Sequence, residues 1–318
     1  MTAGPVGLSP RLGRTTRSGA VAATETRAGH SPIRRSVVFV AFVVAILLLW
    51  EGVKFLGGVP WRGIGVEPGA PVIWDPPFRW PFANDLNLPH WFNILVVLGQ
   101  PVQRGSEDSL LQFLLGAAFY TWREAFIGFI AGALLGLLLA TVFVHFRLLE
   151  RAFVPYVVAS QTIPIVALAP MIVFAFGPNV ASVVVIATYL TFFPVTIAMI
   201  RGLRSPDPRA LELMRSYAAS SWAIYRKVRL PASLPYLFTA LKIAATASIV
   251  GAIIGEGPGG IPDGLGRAII NFNQYYITGP EKLWGAILVS ALLGVTFFAI
   301  IRVLELVALR GRPGAAEG

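Results

Sequence analysis

Few residues of this 318-residue chain could do covalent chemistry, and their spacing excludes most of it. There are no cysteines, so disulfides, iron–sulfur clusters and thiolate-held zinc are ruled out. The three histidines, His30, His90 and His145, lie far apart and form no H-E-x-x-H pair, so no metal site is expected. A P-loop needs Gly-Lys-Ser/Thr, because backbone amides cradle the phosphate and the lysine reaches it. The four lysines are Lys54, Lys227, Lys242 and Lys282, and none follows a glycine. The chain is therefore expected to hold no ATP of its own. Gly255–Gly260 satisfies G-x-G-x-x-G as a string. It follows an apolar helix rather than a strand, and Pro258 interrupts it, so it reads as a turn at a helix end. No catalytic residue and no buried catalytic pair stands out.

The polar groups that remain sit in strongly apolar surroundings. Lys242 is the single charge in its apolar run, Glu256 stands at the outer end of that same run, and Gln161 lies mid-run in another. Intramembrane polar groups commonly mark a transport path, so Gln161 and Glu256 are the path candidates. A proton-coupled carrier would be expected to place more Asp, Glu or His inside its spans.

The elements that must position these groups are helices in a bilayer. Hydrophobic residues make up 55% of the chain and charged ones 13%, where a soluble domain carries about 25% charged. Six apolar runs approach the ~20 residues that a bilayer core requires. They are Val37–Leu56, Phe126–Phe146, Ala152–Phe176, Val180–Ile200, Pro231–Ile254 and Leu283–Ile301. Continuous runs of this length exclude a barrel, whose strands would alternate. The expected fold is all-α, a polytopic bundle of six transmembrane helices. The expected division is a disordered tail over 1–36, the first span over 37–56 and a Trp/Pro-rich loop over 57–107. A membrane domain over 108–308 and a tail over 309–318 follow. Leu110–Glu124 reads as a helix leading directly into the second span.

With both termini placed in the cytoplasm, 18 of the 26 basic residues fall inside and ten of the 16 acidic ones outside. The net charge of +10 is thus a topology signal, and no domain is left over to bind nucleic acid. Arg34-Arg35 precedes the first apolar run without a cleavage site after it, which predicts a retained first helix. The outer loop carries Trp61, Trp74, Trp80 and Trp91 among eight prolines, which predicts a folded segment at headgroup level: an aromatic anchor, or else a docking platform.

The loop 201–235 is too long for a turn. Asp207 can cap a helix whose first residue is Pro208. Leu211, Met214 and Ala218 then share one face, and a second short helix can start at Ser220 or Ser221 and run through Trp222–Val228. Leu230-Pro231 is expected to end it, and Leu234-Pro235 to open the next span. An apolar-faced helix pair of this kind suits a groove on another protein, or a lipid surface.

Glu212 through Trp222, followed by Arg226-Lys227-Val228-Arg229-Leu230-Pro231 and Leu234-Pro235, resembles the cytoplasmic E-A-A-x-x-x-G … L-P loop of ABC importer permeases. The likeness is greatest to the branch that handles nitrate, sulfonates and taurine. It extends to Leu149-Glu150-Arg151, to Gln161 through Pro164, to Ala167 through Pro170, to Gly202 through Ser205 and to Gly264-Leu265-Gly266, and covers about 108–308. Leu213-Met214 stand where the family has two alanines, and Ala218 stands where it has glycine.

The resemblance implies a type I importer permease with cytoplasmic coupling helices, in a bacterial inner (plasma) membrane. It implies two ABC ATPase subunits that bind the ATP, an extracytoplasmic solute-binding protein, and a second permease, identical or paralogous. The ATPase-coupling residues would be Leu211, Glu212, Met214, Ala218, Ala219, Trp222 and Pro231. Expected cargo is nitrate, sulfonate or taurine, or a vitamin-related solute such as riboflavin or a thiamine-pyrimidine precursor; the unusual outer loop favours the last group. The rival reading is a stand-alone secondary transporter or channel, in which 208–229 would be an interfacial helix.

Overall fold

The computed structural model describes residues 32–61, 71–103, 105–257, 261 and 263–310, with side chains from Val37 on. Residues 1–31 of the predicted tail, residues 311–318 of the C-terminal one and Pro258–Gly260 of the glycine string lie outside the described residues. Among the described residues the regular elements are helices, and extended pairing is limited to isolated bridges such as Trp61–Trp74. The chain divides into two units, residues up to 49 and residues from 50 on. The first unit, where described, belongs to α1 (Pro32–Leu56), which begins before the predicted Val37.

Five helical stretches are long and apolar enough to cross a bilayer: Val37–Leu56, Leu110–His145, Val180–Leu203, Ser221–Glu256 and Pro280–Ala308. The 36 residues of Leu110–His145 span about 54 Å as a helix, well beyond a bilayer core of about 30 Å. The sixth predicted span, Ala152–Phe176, is not one helix. It is split into α4 (Arg147–Ser160) and α5 (Ile165–Phe176), bent by 100°. The break falls at Gln161–Pro164, where Pro164 has no amide to continue the ladder. Pro155 and Pro170 lie within α4 and α5 without ending either helix. The Tyr189 hydroxyl, from α6 (Val180–Leu203), donates to the Ser160 carbonyl that the break releases.

The second unit is built around α6. It packs along α3 (Leu110–His145) on one side and α9 (Leu230–Glu256) on the other, with α11 (Pro280–Ala308) against α9 and α3. Lipid tails are as apolar as leucine, so such helices associate through close packing of small residues. Gly128, Gly132 and Gly136 of α3 supply it. A Cβ at Gly136 would lie 2.7 Å from the Phe192 carbonyl oxygen, and one at Gly132 would lie 2.8 Å from that of Thr188. Gly251 does the same on α9, where a Cβ would come within 2.9 Å of the Ala187 Cα. Val183, Val195, Met199, Ala244, Ile249 and Phe297 fill the core that this approach encloses.

Lys242 lies two turns into α9 from Pro235 and is paired within the bundle. Its Nζ donates to both carboxylate oxygens of Glu305 on α11, at 3.1 and 2.9 Å, and Arg302 donates to the same carboxylate at 2.6 Å. The residues from Trp50 to Leu56 anchor the folded segment that follows. Lys54 is fully buried and donates to Asp85 and to the Leu88 carbonyl. Glu51 accepts from His90 Nδ1 at 2.8 Å and from the Trp91 amide. Burial pushes the His90 imidazole below its ordinary value against the opposing pull of Glu51. Trp50 donates to the Pro89 carbonyl and Trp74 to that of Phe55. Two of the tryptophans of this region thus spend their indole N–H groups on its own backbone. α2 (Trp91–Leu98) follows, and α3 starts at the capping box of Ser109 and Gln112.

Candidate functional site

Two short helices stand between α6 and α9. α7 (Pro208–Ser216) starts where Asp207 accepts the Arg209 amide at 2.8 Å, with Pro208 at the first position. It ends in a Schellman turn: the Ala219 amide donates to the Met214 carbonyl and the Ala218 amide to that of Arg215. That turn requires a left-handed residue, and Ala218 supplies it at φ +52°. Ser220 then caps α8 (Ser221–Ile224) by accepting the Ala223 amide.

Contrary to expectation, Leu230-Pro231 does not end this second helix. A π turn over Tyr225–Arg229 carries it into α9, and Ser221–Glu256 forms one unbroken stretch. The cause is local. A proline ring clashes with the carbonyl four residues back, here that of Lys227. Widening the turn, so that the Leu230 amide reaches the Tyr225 carbonyl five residues back, makes room for it. The Arg229 guanidinium donates to the Leu203 carbonyl at the end of α6, and the buried Tyr225 hydroxyl meets Thr141 of α3 at 3.0 Å. The helix pair is thus tied to three of the long helices.

The outward surface of the pair sets three large apolar side chains among the exposed Arg209, Glu212, Arg215 and Arg226. Leu213, Tyr217 and Trp222 are 57%, 77% and 66% exposed. Leu213 and Tyr217 are neighbours at i, i+4, and the Trp222 ring stacks on Tyr225. Of the residues singled out by sequence, Glu212, Ala218 and Trp222 are exposed, whereas Leu211, Met214, Ala219 and Pro231 are half-buried. Leu213 and Tyr217 were missed. The signal was the i, i+4 pair itself, hidden because the spacing of Leu211, Met214 and Ala218 looked equally helical. An alanine at a left-handed position costs about 1–2 kcal/mol relative to an unstrained residue. Ala218→Gly is expected to recover about 1 kcal/mol of this after glycine's own entropy cost, raising the thermal midpoint of the purified protein by a few degrees. An unchanged or lowered midpoint would show the turn to be unstrained.

The two path candidates are placed differently. Gln161 sits at the α4–α5 break, with its Nε2 buried and without a hydrogen-bond partner. Glu256 is fully buried at the last residue of α9. One carboxylate oxygen accepts the Gly266 amide at 2.7 Å, at the start of α10 (Leu265–Gln274). The Gly-Leu-Gly segment noted in the sequence packs directly on this carboxyl. Gly264 adopts φ +101°, and a Cβ there would stand 2.5 Å from Glu256 Oε1. Sequence reasoning missed Glu124 of α3, which is buried beside Glu256.

The profile of the family described as "binding-protein-dependent transport system inner membrane component" matches residues 132–306. That stretch runs from the glycine stripe of α3 through the helix pair and the π turn to the end of α11. The chain belongs to this family. Among its curated relatives is the formylaminopyrimidine transport permease protein ThiX of Halalkalibacterium halodurans, 36% identical over 189 residues, 58% of this chain and 73% of ThiX. The riboflavin transport system permease protein RibX of Chloroflexus aurantiacus is 34% identical over 166 residues, 52% of this chain and 61% of RibX, less than two thirds of that relative's length. The putative aliphatic sulfonates transport permease protein SsuC of Bacillus subtilis is 27% identical over 189 residues, 59% of this chain and 67% of SsuC. The permease is a multi-pass membrane protein, and its relatives are transport subunits.

Proposed function

We propose that this permease carries a planar nitrogen heterocycle of the riboflavin or pyrimidine type through an ATP-driven importer. A soluble binding protein delivers the cargo, and two ATPase subunits seat themselves on α7 and α8. The single observation that carries this reading is the exposed apolar face Leu213–Tyr217–Trp222 on a helix pair continuous with α9. A face of this kind suits a groove on a partner. The unbroken helix behind it passes the partner's movement to the far end of the bundle. ATP is held by that partner, and this chain has no cofactor. The cargo class is supported by ThiX and RibX, at 36% and 34% identity against 27% for the sulfonate relative.

The α4–α5 break supports a second permease, identical or paralogous. Thr162, Ile163 and Pro164 are exposed in the single chain. Irregular backbone at membrane depth is tolerated only where protein or a water-filled path covers it. A partner permease facing α4 and α5 provides both, and Gln161 at the break then lines the path. Both termini are cytoplasmic in this reading, in agreement with the basic residues of 201–229.

The test is co-purification followed by uptake. The permease is tagged at its C-terminus, extracted gently from its native membrane, and its companions are identified. A P-loop ATPase is expected, and vesicles holding the assembly are expected to take up riboflavin or an aminopyrimidine only with ATP and the binding protein. A chain that emerges alone and moves solute without ATP would overturn the importer mechanism.

A further inference from the structure

Glu124 and Glu256 form a buried carboxyl pair with fewer donors than it needs. Both residues are 0% exposed, and they face each other across the contact of α3 with the α9–α10 junction. A carboxylate only accepts hydrogen bonds. Of the four oxygens, Glu256 Oε2 receives the Gly266 amide, while Glu256 Oε1 and both oxygens of Glu124 have no partner. The Thr121 hydroxyl oxygen, one turn away on α3, accepts the Leu265 amide at 2.8 Å and keeps its proton for Glu256, while the Tyr120 hydroxyl neighbours Glu124. Even with both hydroxyls the pair has fewer donors than its four oxygens can accept.

Among the described residues no cation pairs with either carboxyl. Arg123 is exposed and lies over the Tyr120 ring, 5.1 Å from its centre. Asp263 and Arg267 line, with Tyr120, a cavity of about 380 Å³ that Gly264 also borders. Of α6, Val183 and Ile186 stand nearest to Gly255. Water has little room, since even a Cβ at Gly264 would collide with the Glu256 carboxyl. No cluster of three acidic or histidine side chains suited to a metal ion occurs among the described residues.

We propose that Glu124 and Glu256 bind one proton between them, and that this proton ties α3 to the junction of α9 and α10. A single proton turns an acceptor–acceptor contact into an O–H···O bond. Glu124 carries it and donates to Glu256 Oε1. The negative charge left on Glu256 is met by the amides at the N-terminus of α10. The Gly264-Leu265-Gly266 segment is then explained as a mould for this carboxyl, with glycine wherever a side chain would displace it. α9 runs without interruption from the pair to the π turn and α8. Separating α9–α10 from α3 would open the pair to water and release its proton, and proton occupancy and helix position are linked reciprocally.

Infrared spectroscopy of the purified permease, with whatever partners accompany it, tests this directly. The wild type is expected to show one band of a buried protonated carboxyl, slow to shift in D₂O, and the band is expected to vanish in both E124Q and E256Q. A glutamine at 124 donates an amide N–H where the proton stood, so E124Q is expected to melt near the wild type. E124A, which leaves Glu256 Oε1 without a donor, is expected to melt lower by about 5 °C. Should E124A not fold, the two glutamine variants and the band still decide. Absence of the band, its survival in E256Q, or an E124Q midpoint lowered by 5 °C or more would overturn the proposal. So would a rise of the wild-type midpoint with sodium that E124Q abolishes, because that marks a cation site. The result is independent of the cargo and of ATP, so a failed uptake experiment leaves it standing.

Discussion

Leu213→Asp combined with Tyr217→Asp is expected to release the ATPase from the permease and reduce ATP-driven uptake to background. Both side chains are more than half exposed in the single chain, so the double change removes no core contact and the protein is expected to fold and insert at wild-type levels. What it places in the docking groove is two carboxylates that lose their hydration. Central apolar anchors of an interface are each worth about 2 kcal/mol or more on truncation. Two of them together correspond to about a thousandfold in affinity. The measurements are the ratio of ATPase to permease after extraction and the initial rate of uptake in vesicles. The matching change at Leu211 and Met214 separates docking from folding. Those two are half-buried, so aspartate there is expected to lower the thermal midpoint as well as the coupling. If the ATPase stays bound to the Leu213/Tyr217 variant and uptake persists, the exposed face of α7 rests on lipid and the coupling contact lies elsewhere.

The difference between those two pairs of residues shows where sequence reading reached its limit. The apolar runs identify the long helices because helical hydrogen bonding and lipid solvation act on every residue of a run. Asp207 and Pro208 mark the start of α7 because a cap acts over three residues. Which face of α7 points outward is different. Leu211 and Met214 satisfy helical spacing as well as Leu213 and Tyr217, and only the tertiary surroundings of α7 decide between them. Proline was equally ambiguous. Pro155, Pro170, Pro194 and Pro235 all lie within helices, yet Pro164 stands at a break of 100° and Pro231 at a π turn. The break at Gln161–Pro164 is supported from outside by Tyr189, 29 positions away in the chain, and no local pattern carries that contact. Glu124 was overlooked for a related reason: it sits where a helix enters the membrane, where a charged residue reads as solvated, and only the packing of α10 over it shows that it is buried.

Lys242 was legible as an anomaly, and its partner was not, because 63 residues separate the two. The pairing leads to the second large expected effect. Glu305→Ala is expected to destabilise the bundle by about 3–5 kcal/mol, because it strands an ammonium group in a nearly dry environment. The side chains of Lys242 and Glu305 are only 12% and 8% exposed, whereas that of Arg302 is 42% exposed and can turn to water when the carboxylate is gone. The penalty therefore belongs to Lys242. Adding Lys242→Met to Glu305→Leu removes both buried charges and replaces them with apolar groups of similar volume, which is often neutral or stabilising. The single variant is expected to be lost from the membrane or to melt far below the wild type, and the double variant to recover most of the difference. Thermal midpoints in one detergent, read with the yield of extracted protein, give all the corners of the cycle when Lys242→Met and Glu305→Leu are each included alone. A double variant no more stable than Glu305→Ala would mean that the ion pair holds α9 against α11 in its own right, so that the charges contribute to the bundle beyond cancelling each other.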